Sequence, residues 1–126
     1  MAAVIGRWLE ISTLLIYLLF VHYIAVMKLR EMHRAGTLAR LHWTVRLFAW
    51  LYLGIGLALD ALTNFVVLTV LFLEFPPLTG GRDLIEWLCT DRVKRHKNHG
   101  QGWRKAQAEW WCQNWLTPFD ESHCEG

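Results

Sequence analysis

The fold is decided by residues 47–73, which read LFAWLYLGIGLALDALTNFVVLTVLFL. Only Asp60 and Asn64 interrupt this apolar run. It is longer than a perpendicular crossing of a hydrocarbon core of about 30 Å requires. Division at Asp60 would give two halves too short to cross alone, and a re-entrant hairpin would leave backbone groups in lipid without partners. We therefore predict one spanning helix that is tilted or kinked.

A second apolar run, residues 11–27, reads ISTLLIYLLFVHYIAVM and contains no charge. It extends back to Ala2 if Arg7 and Glu10 are included. A cleaved signal peptide is the alternative, but an acid precedes the run and cations follow it from Lys28 onward, where a small-residue cleavage site would be expected. We predict an uncleaved spanning helix, in which His22 lies at a helix interface or at headgroup level.

Composition argues against two classes of protein. The chain has 126 residues, of which 54% are hydrophobic and 19% charged, against about 25% charged in an ordinary soluble domain. An ordinary soluble enzyme is therefore disfavoured. The formal net charge of +2 is too small to indicate nucleic-acid binding.

The connection between the two runs predicts their pairing. Gly36 is the expected end of the first helix and Thr37 the expected cap of the second. A turn there places Gly56 opposite Tyr17. We predict an all-α fold in which residues 1–78 form a transmembrane helical hairpin of two long antiparallel helices, with spans at about 8–27 and 47–73, and residues 79–126 form a Trp-rich tail.

One polar face lies inside the second run. Gly56, Asp60 and Asn64 recur every fourth residue and share a side of the helix, and the pairing brings Thr13 and Tyr17 toward them. A carboxylate at the membrane centre costs about 2.5–3.5 kcal/mol on insertion scales. A proton or ion path is one interpretation. We prefer a packing face between helices, because a single carboxylate makes a poor relay.

The tail predicts two short amphipathic helices. Asp83 and Glu86 form a capping-box pattern at the start of the first, and the second, WRKAQAEWWCQNWL, is expected to end near Leu116 before Pro118. Tryptophans beside cations suit the membrane–water interface, although they could also stack single-stranded nucleic acid or form the core of a helical pair. The predicted interfacial anchors are Trp103, Arg104, Lys105, Trp110, Trp111 and Trp115.

Cysteine and histidine residues near the C-terminus lack a recognisable spacing. A zinc site typically uses close cysteine pairs, whereas Cys89, Cys112 and Cys124 are far apart in the sequence, and an odd number of cysteines does not fit a disulfide framework. Neither a nucleophile signature nor a glycine-rich phosphate loop is present. The sequence predicts no catalytic residue, no metal, no cofactor and no enzymatic activity.

Membrane orientation is left open by the charges. The connection carries Lys28, Arg30, Arg34, Arg40 and Arg46, which the positive-inside rule places in the cytoplasm. Arg7, Arg82 and the cations of residues 92–97 argue for the opposite orientation. Because two spans put both ends on one side, the two basic sets cannot both be cytoplasmic.

Several short motifs together resemble a family of small membrane proteins encoded by tailed bacteriophages and prophages. They are Asp60 with Asn64, the exit LFLEFP at residues 71–76, GWR at residues 102–104, and PFD at residues 118–120 followed by His123 and Cys124. The chain departs from the family at Phe75, Pro77 and Thr117, and extends two residues past Cys124. The resemblance implies a phage or prophage origin and a two-span topology, and it implies no activity.

These observations predict a non-enzymatic integral membrane protein of the host inner membrane. It would act through lipid or protein contacts, in envelope modification, in exclusion of a second phage, or in lysis or assembly. Its expected partners are the lipid bilayer and a second copy of the chain or another membrane protein, with no nucleic acid and no small-molecule substrate. The alternative is a holin-like pore, lined by the face of Gly56, Asp60 and Asn64.

Overall fold

A computed structural model describes residues 1–76 and 87–125, and every regular element in these residues is helical. The prediction of an all-α protein with two long apolar helices is confirmed. The α-helices are α1 (Ala2–Arg34), α2 (Trp43–Thr63), α3 (Thr69–Phe72), α4 (Cys89–His99) and α5 (Gly102–Trp111), with π-helical segments at Asn64–Leu68 and Cys112–Leu116 and 3-10 turns at Leu38–Arg40 and Glu121–His123.

The chain divides into two compact units, an N-terminal unit (Met1–Thr63) and a C-terminal unit (Asn64–Gly126). The predicted boundary was residue 78. It falls earlier in the structure because Leu68 and Phe72, at the end of the second apolar run, belong to the same buried core as Val93 and Ala108. The end of the second apolar run, from Asn64 onward, therefore belongs to the C-terminal unit.

Helix α1 ends where the sequence predicts. Gly36 has φ +70°, its amide donates to the carbonyl of His33, and the Thr37 amide donates to the carbonyl of Met32. This is the Schellman arrangement, which favours glycine at the left-handed position. Thr37 does not cap the second helix, because its hydroxyl donates to the Met32 carbonyl at 3.0 Å.

Helix α2 begins later than predicted, at Trp43. The Arg46 amide donates to the carbonyl of His42, and Nδ1 of His42 accepts a hydrogen bond from the Thr44 amide at 3.4 Å. His42 therefore takes the capping position that the sequence assigned to Thr37. The 3-10 turn Leu38–Arg40 occupies the intervening chain, so the connection between the helices is longer than a tight turn at Gly36.

Helices α1 and α2 contact each other in the N-terminal unit. The rings of His22 and Tyr52 stack with centroids 4.2 Å apart and planes 7° from parallel. A Cβ placed on Gly56 would lie 3.7 Å from Val26 Cγ2 and 3.8 Å from His22 Cβ. His22 is therefore a helix-interface residue, one of the two locations predicted for it.

The C-terminal unit has its own core, formed by Leu68, Phe72, Val93, Ala108, Cys112 and Cys124. Helix α4 begins at Cys89 because Leu88 is extended, with φ −98° and ψ 143°. The capping box predicted at Asp83 and Glu86 lies outside the described residues. The last helical segment ends at Leu116, two residues before Pro118, as predicted.

Two helices are long and apolar enough to cross a membrane. They are Ala2–Arg34, with 33 residues and a mean hydropathy of 1.9, and Trp43–Phe72, with 30 residues and a mean hydropathy of 2.0. A signal sequence or the core helix of a soluble protein can reach the same length and hydropathy. In the most apolar 18-residue window, only 11% is buried in the first helix and 33% in the second.

Candidate functional site

The residues of the predicted polar face differ in how deeply the structure buries them. Gly56 and Asn64 are buried and Asp60 is half-buried, whereas Thr13 and Tyr17 are exposed. Asn64 belongs to the C-terminal unit and the other four to the N-terminal unit.

The predicted pairing of Gly56 with Tyr17 is wrong, because His22 and Val26 supply the atoms nearest to Gly56. The reason is the connection, which occupies residues 35–42 instead of turning at Gly36. The centre of this connection lies further along the chain than the predicted turn. The residue of α1 that faces a given position of α2 therefore shifts by about four residues, or about one helical turn.

Hydroxyl groups near this face bond to their own helices. Thr13 Oγ1 donates to the Leu9 carbonyl and Thr63 Oγ1 to the Leu59 carbonyl, both at 2.8 Å. Nδ1 of His22 lies 2.8 Å from the Leu18 carbonyl oxygen, which accepts, so this nitrogen carries the proton. Such i to i−4 bonds satisfy polar side chains within one helix.

A charged cluster that sequence reasoning did not single out lies in the C-terminal unit. Arg92 is fully buried, and its Nη1 donates to the Glu74 carbonyl at 3.2 Å and lies 3.5 Å from Thr69 Oγ1. Nη2 of Arg95 forms an ion pair with Oε1 of Glu74, and Nε2 of the buried His96 lies 3.6 Å from Oε2 of the same carboxylate. Glu74 is thus the centre of the cluster.

Arg104 completes the cluster from helix α5. Its Nε donates to the Phe72 carbonyl at 2.9 Å and its Nη2 to the Leu73 carbonyl at 3.4 Å, while its guanidinium carbon lies 5.2 Å from the centre of the Trp103 ring. The last carbonyls of a helix lack intrahelical donors and carry partial negative charge. Arg104 therefore stabilises the end of α3, and Arg92 binds the Glu74 carbonyl two residues beyond it.

The pKa of Glu74 is lowered from its ordinary value. Burial is the largest single influence and raises the pKa, but the hydrogen bond and charge of Arg95 and the charges of His96 and Arg104 together outweigh it. Glu74 is therefore held as a carboxylate. This arrangement is an ion-pair network at a helix end.

Cys112 and Cys124 form a disulfide with a Cα–Cα distance of 6.0 Å, so the expectation that an odd cysteine count excludes a disulfide is wrong. Both are almost completely buried in the core of the C-terminal unit. The chain reverses after Pro118, where the amide of Ser122 donates to Oδ1 of Asp120 at 3.0 Å, and so returns Cys124 to Cys112. The third cysteine, Cys89, is not part of this disulfide.

The predicted anchors separate into two groups. Trp103, Lys105 and Trp110 are exposed, whereas Arg104, Trp111 and Trp115 are partly buried. Trp111 packs against the core of the C-terminal unit and contacts both Trp110 and Trp115, with ring centroids 5.1 and 5.5 Å away. Some of these rings thus contribute to a helical core, which was one of the three readings that the sequence left open.

An apolar groove of about 260 Å³ lies in the N-terminal unit near the connection between α1 and α2. Its walls are mostly apolar and include two basic side chains, Arg30 and His33. The lining residues are Val26, Leu29, Arg30, His33, Leu38, Ala49, Trp50 and Leu53.

Within residues 1–76 and 87–125, no three His, Cys, Asp or Glu residues are grouped to hold a metal ion. No protein-family model, curated protein or solved structure matches the chain.

Proposed function

We propose that this chain is a non-enzymatic integral membrane protein that acts through contacts with lipid and with other membrane proteins. The two long helices would cross the bilayer as an antiparallel hairpin. The observation that carries this proposal is the exposure of large apolar side chains on both helices, including Leu14 at 57%, Phe48 at 71% and Trp50 at 65%.

The exposure of these side chains favours a bilayer over the two other classes of apolar helix. A core helix in a soluble protein is hydrophobic because it is buried, and leaving one Leu or Phe side chain in water forgoes about 1.5–3 kcal/mol. A signal sequence would account for α1 alone. It would leave the apolar surface of α2 exposed to water.

Contacts with lipid are supported at two places. Exposed Trp103 and Trp110 lie on a helix that also carries Lys105, which is the combination favoured at headgroup level. The groove lined by Arg30 and His33 suits one acyl chain of an anionic lipid, because residues 28–46 contain five Lys or Arg and one acid.

The test of membrane insertion is direct. The chain should remain with the membrane pellet after carbonate extraction and enter solution only with detergent. Recovery of most of the protein in the soluble fraction would contradict the proposal.

For the biological setting, the resemblance to phage and prophage membrane proteins supports action at the host inner membrane. Envelope modification, exclusion of a second phage, and assistance in lysis or assembly are the proposed roles. Expression of the chain alone, followed by plating of a second phage, growth and membrane potential, separates them. Loss of plating by the second phage would support exclusion. If plating, growth and membrane potential are all unchanged, a role in assembly remains.

A holin-like pore is less well supported by the geometry. The face proposed to line it includes Gly56, which packs against His22 and Val26, and Asn64, which is fully buried. Lining a channel would require both to face water. Sudden loss of membrane potential on induction would favour the pore.

A further inference from the structure

We infer that the C-terminal unit folds in an oxidising compartment outside the cytoplasm, where Cys112 and Cys124 are the substrate dithiol of a thiol oxidase, and that the basic connection between α1 and α2 remains in the cytoplasm. This inference rests on the proposed two-span topology. Two independent observations carry it, namely the buried disulfide and the placement of the cations.

The disulfide belongs to the core of the C-terminal unit. Cys112 and Cys124 are 1% and 2% exposed and pack in one cluster with Phe72, Val93 and Ala108. Nζ of Lys97 donates to the Cys124 carbonyl at 2.8 Å, which ties the last residues to α4. Disulfides persist in secreted and periplasmic proteins and are rare where glutathione and thioredoxin keep thiols reduced.

Formation of this bond requires a partner of defined chemistry. The two thiols lose two protons and two electrons as the sulfur–sulfur bond forms. A dithiol–disulfide oxidoreductase accepts them: its own disulfide is attacked by one cysteine thiolate, and the mixed disulfide is resolved by the second thiolate. The oxidoreductase leaves as a dithiol, so the reaction balances.

Three of the cations after the second span make contacts inside the C-terminal unit. Arg92 is buried, Arg95 pairs with Glu74, and Arg104 binds the carbonyls that end α3. These three charges are held in contacts within one folded unit.

The segment between the two apolar runs, residues 28–46, is shorter than the tail. Five cations and one acid lie in residues 28–46, and the acid, Glu31, pairs with Lys28 at 2.9 Å. Short loops of this kind are the ones to which the positive-inside rule applies. The disulfide and the short loop therefore indicate the same orientation.

The oxidation state is tested on the full chain expressed in bacteria, by acid trapping and reaction with a thiol-reactive mass tag. We expect one tag per chain without reductant, on Cys89, and three after reduction. Cys112→Ser should expose one further thiol, from Cys124, whereas the matched control Cys89→Ser should leave none before reduction. In cells that lack the periplasmic thiol oxidase, three tags should be found without reductant. Three tags in wild-type cells would overturn the inference.

Sidedness is tested in a Cys89→Ser background with one added cysteine at an exposed position, either Asn98→Cys in α4 or Thr37→Cys in the connection. A membrane-impermeant maleimide should label Asn98→Cys in intact cells and Thr37→Cys only after lysis. The reverse pattern would overturn this inference while leaving two spans in place. Equal labelling of both sites in intact cells would instead contradict the two-span topology itself.

Discussion

The Nε atom of Arg104 donates a hydrogen bond to the carbonyl oxygen of Phe72 at 2.9 Å, across 32 residues of sequence. A guanidinium from α5 thus satisfies a backbone acceptor at the end of α3, where no intrahelical donor is available. The contact links the end of the second apolar helix to the last helix of the chain, so both should unfold together.

Replacement of Arg104 by Gln should lower the free energy of unfolding by about 1.5–3 kcal/mol, because hydrogen bonds that involve a charged group are worth about that much. The measurement is chemical unfolding in detergent, followed by tryptophan fluorescence. Lys105→Gln is the matched control, since Lys105 is the exposed neighbour. If both variants lose the same stability, Arg104 does not support the helix end.

The lowered pKa of Glu74 predicts how stability depends on pH. The unfolded chain binds a proton more readily than the folded chain, so the contribution of Glu74 is complete above its ordinary value of 4.5 and is lost as the pH falls through the lower folded value. Glu74→Gln should be less stable than wild type at pH 7, and the difference should shrink in acid.

The measurement for Glu74 is the unfolding temperature between pH 7 and pH 3. Glu125→Gln removes one carboxylate at an exposed site and serves as the control. A constant gap between wild type and Glu74→Gln over the whole range would show that the ion pairs contribute nothing.

Two glycines in α2 provide a matched test of the helix contact. A Cβ on Gly56 would lie 3.7 Å from Val26, whereas nothing lies within 4 Å of a Cβ on Gly54. Gly56→Ala should therefore be tolerated, while Gly56→Ile should destabilise by about 1–3 kcal/mol through overpacking. Gly54→Ile should be close to neutral. Denaturant midpoints in detergent give the comparison, and equal midpoints for the two Ile variants would contradict it.

Asp60 should contribute through packing and hydrogen bonding and not through its charge. Asp60→Asn keeps the shape and hydrogen-bonding capacity, so membrane level and association should be nearly unchanged. Asp60→Leu should ease insertion, because an apolar residue replaces a costly one, and weaken association. Cross-linking in membranes measures association. If Asp60→Asn abolishes activity in a phage assay at unchanged membrane level and association, the carboxylate itself is required.

Replacement of Leu73 by glycine should stabilise the protein. Leu73 has φ 49° and ψ 47°, the left-handed conformation, and its side chain is exposed. Non-glycine residues pay about 1–2 kcal/mol for this conformation, so Leu73→Gly should raise the free energy of unfolding by up to about 1 kcal/mol. Ala106→Gly, at an exposed position within α5, should lower it by about 0.5–1 kcal/mol. A loss of stability in Leu73→Gly would contradict the prediction.

The features that the sequence predicted correctly are those with local causes. The positive φ of Gly36 ends α1, Pro118 follows the last helical segment, and the apolar runs set the two long helices. The disulfide and the cluster at Glu74 depend instead on residues brought together by folding. Nothing adjacent to Cys112 indicates that Cys124 returns to it, and the spacing of Arg92, Arg95 and His96 on one helix shows a shared side but not the carboxylate that they meet.

The helix Trp43–Phe72 contains a π-helical segment at Asn64–Leu68, which starts at the boundary between the two compact units. Its hydrogen bonds reach one residue further than those of an α-helix, so positions after it are displaced around the axis by up to about 100° relative to an uninterrupted helix. A helical wheel that treats the chain after Gly56 as an uninterrupted α-helix therefore places Phe72 on the wrong side. Deleting one residue within 64–68 would restore the α-helical phase and turn Phe72 away from its core, whereas a conservative substitution there would keep the winding. The extra residue, and not any particular side chain, thus decides which side of this helical segment meets the core of the C-terminal unit.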